Sequence, residues 1–178
     1  MLYKCTINEF RFHLFCIFHK KTMRNLEIER KYLVDKKQWT NLEKPPGDLY
    51  VQGYLSIDDA KVIRVRVAKG CGFLTIKGRS ETFSHPEYEY EIPLPDAQDL
   101  IKAYTDTIIQ KRRHRVSVGD HLWEVDVFER ENEGLIIAEI ELNDPCESFE
   151  LPTWLGEEVT SDKRYYNAYL ALNPFSKW

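Results

Sequence analysis

The sequence has few cysteines, and they form no recognisable ligand or disulfide pattern. There are four among the 178 residues, at widely and irregularly spaced positions: Cys5, Cys16, Cys71 and Cys146. The sequence contains no Cys-x-x-Cys motif and no pair of histidines at a ligand spacing, so a disulfide framework is not indicated. We therefore expect a reduced, cytoplasmic protein.

Long apolar runs are also missing. The apolar stretch at residues 14–18 is too short to span a membrane. Arg11 and His13 interrupt any apolar segment, and no small-residue cleavage site follows, so a signal peptide is not indicated. Residues 1–22 are rich in aromatic and basic residues, and Met23 directly precedes the first motif. We predict that residues 1–22 are an N-terminal extension, either a start-site artefact or a disordered segment, ahead of one domain at 23–174 without a membrane partner.

The chain lacks an excess of positive charge. Its 25 Lys and Arg residues are outnumbered by 29 Asp and Glu residues, which gives a formal net charge of −4. This balance argues against an extended nucleic-acid-binding surface, although it permits a local cationic pocket. A length of 178 residues can bury a good core but rarely builds two domains, so we expect one domain.

The most informative stretch covers residues 26–34. In an extended strand Glu27, Glu29 and Lys31 point the same way, because side chains alternate between the two faces. Two like charges about 4 Å apart repel by roughly 4 kcal/mol at an effective dielectric of about 20. A divalent cation would convert that repulsion into binding. For one such strand taken alone, a solvated face of mixed charge is the alternative.

The same alternation recurs along the chain, and each recurring pair carries one sign of charge. Because the intervening residues are mostly apolar, the pattern predicts a sheet with one charged face and one face covered by helices. Neither sign of charge could stay ionised and unpaired in a dry core, so the charged face is expected to bind a ligand. The pairs are Arg64 and Arg66, Glu89 and Glu91, Lys111 and Arg113, Glu124 and Asp126, and Glu139 and Glu141.

Turn residues and periodicity divide the chain into many short strands and few helices. Asp35 and Gln38 form a capping box that predicts a short helix over 35–43, Pro95 and Asp96 open a second helix, and a third is predicted over 162–172. Eight strands with few helices favour a closed antiparallel barrel. The strands are predicted near 26–34, 49–57, 61–69, 73–78, 87–94, 108–118, 121–129 and 134–142.

These motifs resemble those of the CYTH proteins, also called triphosphate tunnel metalloenzymes, whose signature on the first strand is Glu-x-Glu-x-Lys. The resemblance covers about residues 25–172 and points to the short, single-domain bacterial members that hydrolyse inorganic tripolyphosphate. It implies an α+β, predominantly β fold, in which a closed eight-stranded antiparallel barrel forms a tunnel with a few flanking helices. Besides the charged pairs, it rests on Gln52-Gly53-Tyr54-Leu55, Thr75-Ile76-Lys77 and residues 154–165.

The resemblance also implies a role for each charged group in metal-dependent hydrolysis of tripolyphosphate to pyrophosphate and phosphate. The expected ligands of Mg²⁺ or Mn²⁺ are Glu27, Glu29, Glu139 and Glu141, with Glu91 and Asp126 helping to place a second ion or a water. Lys31 and Tyr54 are expected to form a base-like catalytic dyad. The expected phosphate-binding residues are Lys31, Arg64, Arg66, Lys77, Lys111, Arg113 and Lys163.

Other functions stay open at this point. Relatives with the same tunnel cyclise ATP to cyclic AMP, as class IV adenylate cyclases do, or hydrolyse thiamine triphosphate. A non-catalytic polyphosphate-binding module would need the cationic residues but not so many acidic ones. The expected partner is a small triphosphate and not a nucleic acid, and the protein is expected to be a monomer or a homodimer.

Overall fold

The computed structural model describes residues 28–58, 60–78 and 87–178. The predicted extension at 1–22 and Glu27 therefore lie outside the described residues. The strands are β1 (Ile28–Val34), β2 (Asp48–Ile57), β3 (Lys61–Ala68), β4 (Cys71–Gly78), β5 (Glu87–Ile92), β6 (Ile108–Val118), β7 (His121–Phe128), β8 (Ile136–Leu142) and β9 (Leu155–Glu158). The α-helices are α1 (Lys36–Asn41), α2 (Leu94–Tyr104) and α3 (Asn167–Leu172), and short 3₁₀ helices cover Arg130–Asn132, Lys163–Tyr165 and Phe175–Lys177.

All these strands join one antiparallel sheet in the order β5-β4-β3-β2-β6-β7-β8-β1-β9. The predominantly β, antiparallel prediction is confirmed, but the closed eight-stranded barrel is wrong. The sheet has a ninth strand, and among the described residues its edge strands β5 and β9 do not pair with each other. β9 has four residues and its pairing with β1 shifts register between Tyr32 and Val34, while β5 is exposed along almost its whole length. A short, irregular edge and a charged, exposed edge leave the sheet open.

The local predictions differ in their outcome at the two ends of the chain. The first helix is confirmed at its start, where the Asp35 carboxylate accepts a hydrogen bond from the Gln38 amide at 2.9 Å. The helix predicted over 162–172 is broken, because Tyr166 has extended backbone between the 3₁₀ turn and α3. The Tyr166 hydroxyl donates to the Thr160 carbonyl at 3.2 Å and holds this break. No helix in the described ranges is long and apolar enough to cross a membrane.

The strand register gathers the charged pairs on one face of the sheet, as predicted. Residues directly opposite each other on neighbouring strands share a face. Arg113 on β6 lies opposite Asp126 on β7, and Glu124, two residues away on β7, lies opposite Glu139 on β8. The two-residue alternation in the sequence therefore becomes a continuous charged face.

The other face of the sheet is apolar and covered. Ala97 and Ile101 of α2 pack on the fully buried Val65 of β3. Around β1, β7 and β8 a second cluster surrounds Trp123, which contacts Trp154 edge to face with ring centroids 5.7 Å apart. These apolar contacts fix the strands and leave the charged side chains of the opposite face free for other roles.

A third apolar cluster lies on the charged face itself, at one end. Tyr54, Ile109, Phe128 and Ile137, from four different strands, pack together with Leu170 of α3. Because one cluster gathers side chains from strands that are not all neighbours in the sheet, the sheet must curve around this face, which we call the concave face. The five residues form its floor.

Candidate active site

The concave face carries three groups of charged side chains beyond the floor. Their positions follow from the strand pairing, which aligns β6 with β7 and β8, β1 with β8, and β3 with β4 and β5. The central group is Lys111, Arg113, Glu124, Asp126 and Glu139. The β1 group is Glu29 and Lys31, which share Glu139 with the central group, and the β3 group is Arg64, Arg66, Thr75, Lys77, Glu87 and Glu89.

Arg113 is the centre of a buried ion-pair network. Its Nε and Nη2 donate to the two carboxylate oxygens of Asp126 at 2.7 and 2.6 Å, and Nη2 also donates to Glu139 at 2.8 Å. Its Nη1 donates to Glu124. Burial works against the charge of Arg113, but Asp126, Glu139 and Glu124 raise its pKa well above the ordinary value. This many partners are needed to offset the loss of hydration of a buried cation.

Lys111 lies deepest among these cations. Only 2 % of the residue is exposed, and its ammonium donates to Asp126, of which 1 % is exposed. Burial lowers the pKa of Lys111, and the negative charge of Asp126 opposes that shift. Asp126 therefore balances two buried cations, Lys111 and Arg113, which gives it a structural function in addition to any role toward a ligand.

In the β1 group, two carboxylates compete for one ammonium. Lys31 Nζ lies 2.7 Å from Glu29 Oε2 and 2.6 Å from Glu139 Oε1. Burial and the nearby charge of Glu139 raise the pKa of Glu29 to about 7, although Lys31 acts in the opposite direction. Burial opposes the charge of Lys31, but Glu139 and Glu29 together raise the pKa of Lys31 above its ordinary value. Two carboxylates from neighbouring strands thus crowd around one ammonium, whereas the crowding predicted between Glu27 and Glu29 within β1 involves a residue outside the described ranges.

The raised pKa of Glu29 predicts a specific pH dependence of stability. An acid whose pKa is higher in the folded state stabilises that state fully below its unfolded pKa, and this contribution is lost as pH rises through the folded pKa. With a chelator present, raising the pH from about 4.5 to 7 should therefore lower the melting temperature of the wild type more than that of Glu29→Gln. The difference should be small, because 37 % of the Glu29 side chain is exposed. If the melting temperatures of the two proteins changed equally with pH, this prediction would be contradicted.

The β3 group contains cations whose hydrogen-bonding capacity is only partly used. Arg66 Nη2 donates to Glu89 at 2.9 Å, and Arg64 Nη2 donates to the Thr75 hydroxyl at 3.3 Å. The Nε atoms of both arginines are buried and have no hydrogen-bond partner among the residues that the structure describes. Burial and the neighbouring charge of Arg64 lower the pKa of Arg66. Both side chains stay partly exposed, so their guanidinium groups are placed to accept an anion with several oxygens.

The structure does not bring the predicted Lys31 and Tyr54 dyad into contact. The Tyr54 hydroxyl accepts a hydrogen bond from Gln52 at 2.8 Å, and Tyr54 belongs to the floor. The Lys31 ammonium instead contacts Glu29 and Glu139 and lies 5.9 Å from the centroid of the Tyr166 ring. Burial raises the pKa of Tyr54 to about 12, so its phenol stays protonated. The dyad stays a prediction that the contacts do not support.

Other predicted site residues lie at the periphery. Lys77 pairs with Glu87 at 2.8 Å on the concave face. Glu91 is exposed on the edge strand β5, opposite Phe73, and Lys163 is exposed in the 3₁₀ helix after β9. The Lys163 ammonium makes no ion pair or hydrogen bond within the described part of the chain, so its role as a phosphate ligand stays a prediction.

An acidic cavity of about 530 Å³ opens at the end of the concave face away from the floor. We call this end the mouth. Glu29 and Glu141, which lie opposite each other on β1 and β8, reach it together. Its complete lining is Glu29, Asp120, His121, Leu122, Glu124, Glu139, Glu141, Asn143, Glu147 and Ser148.

The acidic donors suit a hard divalent cation in their chemistry. Glu29, Glu139 and Glu141 provide only carboxylate oxygens, which Mg²⁺ and Mn²⁺ prefer. Within the ranges that the structure describes, no three carboxylate, imidazole or thiol groups are close enough to one another to hold a metal ion in their present arrangement. The crowding of Glu29 and Glu139 around Lys31 is the observation that favours an additional cation there.

Several polar residues on the concave face were not assigned a role from the sequence, and four of them interact with the groups described above or extend them. They are Tyr50, Gln52, Thr75 and Arg115. Thr75 donates to Glu89 at 2.8 Å, and Arg115 donates to Glu124 at 3.0 Å and to the Tyr50 hydroxyl at 3.0 Å. The signal that could have identified them is strand parity, because Tyr50 and Gln52 alternate with Tyr54, and Arg115 follows Arg113 by two residues.

An antiparallel sheet with interleaved arginines, lysines and carboxylates on one concave face has the groups that can contact an anion and a cation together. The chain belongs to the CYTH family, because the model of the CYTH domain matches residues 25–168. It is 44 % identical over 153 residues to an inorganic triphosphatase of Acetivibrio thermocellus, which covers 85 % of this chain and 97 % of the relative.

A second relative and a solved structure agree with this family. An inorganic triphosphatase of Nitrosomonas europaea is 36 % identical over 155 residues, covering 83 % of this chain and 97 % of that protein. The solved structure of the inorganic triphosphatase NE1496 superposes with a TM-score of 0.63 at 33 % identity, over 82 % of this chain and 94 % of the other. The family resemblance inferred from the motifs is confirmed.

Proposed function

We propose that this protein is a hydrolase that cleaves inorganic tripolyphosphate to pyrophosphate and phosphate and depends on Mg²⁺ or Mn²⁺. The observation that carries the proposal is the pair of partly exposed arginine side chains, Arg64 and Arg66, on the same face as the acidic mouth. A linear triphosphate supplies oxygens for the two guanidinium groups, and its metal complex supplies positive charge for the carboxylates. The names of the two curated relatives support the same substrate.

Each group on the concave face has a proposed task. Glu29, Glu139 and Glu141, together with Glu27, would hold the metal, which when bound neutralises phosphate oxygens and lowers the pKa of a coordinated water. Arg64 and Arg66 bind and orient the phosphate chain through their guanidinium groups, with Lys77 beside them. The second-ion or water roles of Glu91 and Asp126 stay predictions, because Asp126 is already occupied by two cations.

The chemistry asked of the protein is mainly positioning and neutralisation of charge. Phosphoryl transfer to water needs an in-line approach and stabilisation of negative charge, with little covalent participation by side chains. Lys31 has a raised pKa, so it keeps its proton and donates to a phosphate oxygen better than it serves as a base. Arg113 and Lys111 add two further positive charges near the centre of the face.

The remaining finer proposals follow from the same reaction. We propose a small triphosphate as the physiological partner, a cytoplasmic location, and a monomer or homodimer as the working unit. The proposed catalytic domain is 23–174, preceded by the extension at 1–22.

The test of the proposed function is phosphate release by the purified protein with Mg²⁺, Mn²⁺ or a chelator. The substrates are tripolyphosphate, ATP, thiamine triphosphate and long-chain polyphosphate, and the ATP reactions are also assayed for cyclic AMP. Rapid, metal-dependent release from tripolyphosphate with ATP nearly inert is expected. Formation of cyclic AMP would assign a cyclase, preference for thiamine triphosphate would reassign the substrate, and tight binding without turnover would leave a polyphosphate-binding module.

Tyr54→Phe is expected to retain kcat within about threefold, since the Tyr54 hydroxyl accepts from Gln52 and its pKa is raised to about 12. The phenyl ring keeps the floor packed. The measurement is steady-state hydrolysis of tripolyphosphate at saturating metal. A general acid or base contributes about 10²-fold or more, so a loss of that size with unchanged melting temperature would restore the Lys31 and Tyr54 dyad.

A further inference from the structure

Tyr50 lies between two arginines that belong to different parts of the concave face. It is on β2, which separates β3 from β6 in the sheet, and only 6 % of the residue is exposed. The Cζ of Arg66 lies 5.7 Å from the centroid of the Tyr50 ring, and the Cζ of Arg113 lies 5.4 Å from it. Both distances are within the range of cation–π contacts. One aromatic ring therefore contacts a cation from the β3 group and a cation from the central group.

The hydroxyl of Tyr50 adds a third arginine. Arg115 Nη2 donates to the Tyr50 hydroxyl at 3.0 Å, while its Nε donates to Glu124. The guanidinium groups of Arg66, Arg113 and Arg115 would repel each other in a site of low polarity. Neighbouring carboxylates offset part of this repulsion, and the electron-rich ring face and phenolic oxygen of Tyr50 add attraction without a further negative charge.

A carboxylate in the place of Tyr50 would have paired with the arginines and reduced their attraction for a phosphate chain. An aromatic ring contacts the same cations without adding another negative charge to the carboxylates that already pair with them. Arg66 also contacts Phe73, which lies opposite it on β4 and whose ring centroid is 5.5 Å from the Arg66 Cζ. Arg113 contacts the Tyr50 ring in addition to the carboxylates of Glu124 and Asp126.

We propose that Tyr50 is a positioning residue that holds Arg66 and Arg113 on the same phosphate chain and, through its hydroxyl, adds Arg115 to the substrate-binding surface. The proposal rests on the proposed triphosphatase function. It assigns to Tyr50 and Arg115 a task in binding the inorganic triphosphate, and it assigns no contact between Tyr50 and the reacting phosphorus.

The test compares Tyr50→Leu with Tyr50→Phe and with the control Phe73→Leu, which removes an aromatic contact from Arg66 alone. Tyr50→Leu loses both ring contacts and the hydroxyl, so the KM for tripolyphosphate should rise about tenfold or more while kcat stays within about threefold. Tyr50→Phe and Phe73→Leu each lose less and should raise KM by about threefold or less. Calorimetry in the presence of a chelator measures the affinity for tripolyphosphate without metal. This affinity should fall most in Tyr50→Leu and less in Tyr50→Phe and Phe73→Leu.

A second measurement does not depend on the Leu variant being folded. Tyr50→Phe and Arg115→Gln remove the same hydrogen bond, so the double variant should raise KM no more than the larger single variant does. Additive effects of the two substitutions, or an unchanged KM and affinity in folded Tyr50→Leu, would overturn the proposal while leaving the triphosphatase function intact. A wild type that hydrolyses no tripolyphosphate would contradict the proposed function instead, and the calorimetric order of the variants would then decide the role of Tyr50.

Discussion

Glu29→Gln is expected to abolish metal-dependent hydrolysis of tripolyphosphate, with a loss on the order of 10²-fold or more in kcat, while the protein stays folded. Glutamine keeps the shape of the side chain and can still accept a hydrogen bond from Lys31. It lacks the negative charge that a hard divalent cation requires. Because Lys31 retains Glu139 as a partner at 2.6 Å, the substitution leaves no buried cation without a carboxylate.

The matched control is Glu158→Gln, which also removes one carboxylate near β1. Glu158 contacts Arg30 at 3.4 Å, and 41 % of its side chain is exposed. Its side chain is not part of the lining of the acidic mouth. Phosphate release should be titrated with Mg²⁺ and Mn²⁺ for both variants, with circular dichroism to check the fold. Wild-type turnover in Glu29→Gln would remove Glu29 from the metal site.

The alternation of residues along the strands was enough to predict the charged face. A period of two is local, so the sequence shows which side chains of β6, from Lys111 to Arg115, share a face before any pairing is known. The long strands were also placed well, since Ile108–Val118 agrees with the predicted bounds. Capping chemistry is equally local, and the Asp35 contact with the Gln38 amide confirms it.

What could not be predicted depends on contacts between distant residues. β9 is four residues long and contains Gly156, so no periodic pattern identifies it; it forms because it pairs with β1. The break at Tyr166 depends on a hydrogen bond to the Thr160 carbonyl. The same holds for the site, because the distance between Lys31 and Tyr54 depends on the curvature of the sheet and not on either strand alone. Strand order and curvature are set by packing between elements.

Asp126→Asn is expected to destabilise the metal-free protein by about 3 kcal/mol or more, because it leaves two buried cations without their shared carboxylate. Asp126 is 1 % exposed and accepts from both Lys111 and Arg113. Arg113 would keep Glu124 and Glu139, but Lys111 would lose the acceptor that its ammonium contacts. Unfolding in urea measures the change, with the exposed Glu131→Gln as a control that should stay within about 0.5 kcal/mol of the wild type.

A double variant separates the cost of unpaired charge from the cost of lost shape. Lys111→Met combined with Asp126→Asn removes the most deeply buried cation along with its partner, and the methionine side chain fills a similar volume. Its stability should therefore be higher than that of Asp126→Asn alone, although one carboxylate of Arg113 is still missing. If the double variant were less stable than the single one, or if Asp126→Asn cost less than about 1 kcal/mol, the ion pair would not be what holds β6 and β7 together at this depth. A stable but inactive Asp126→Asn would then favour the ion-placing or water-placing role predicted for Asp126 from the family motif.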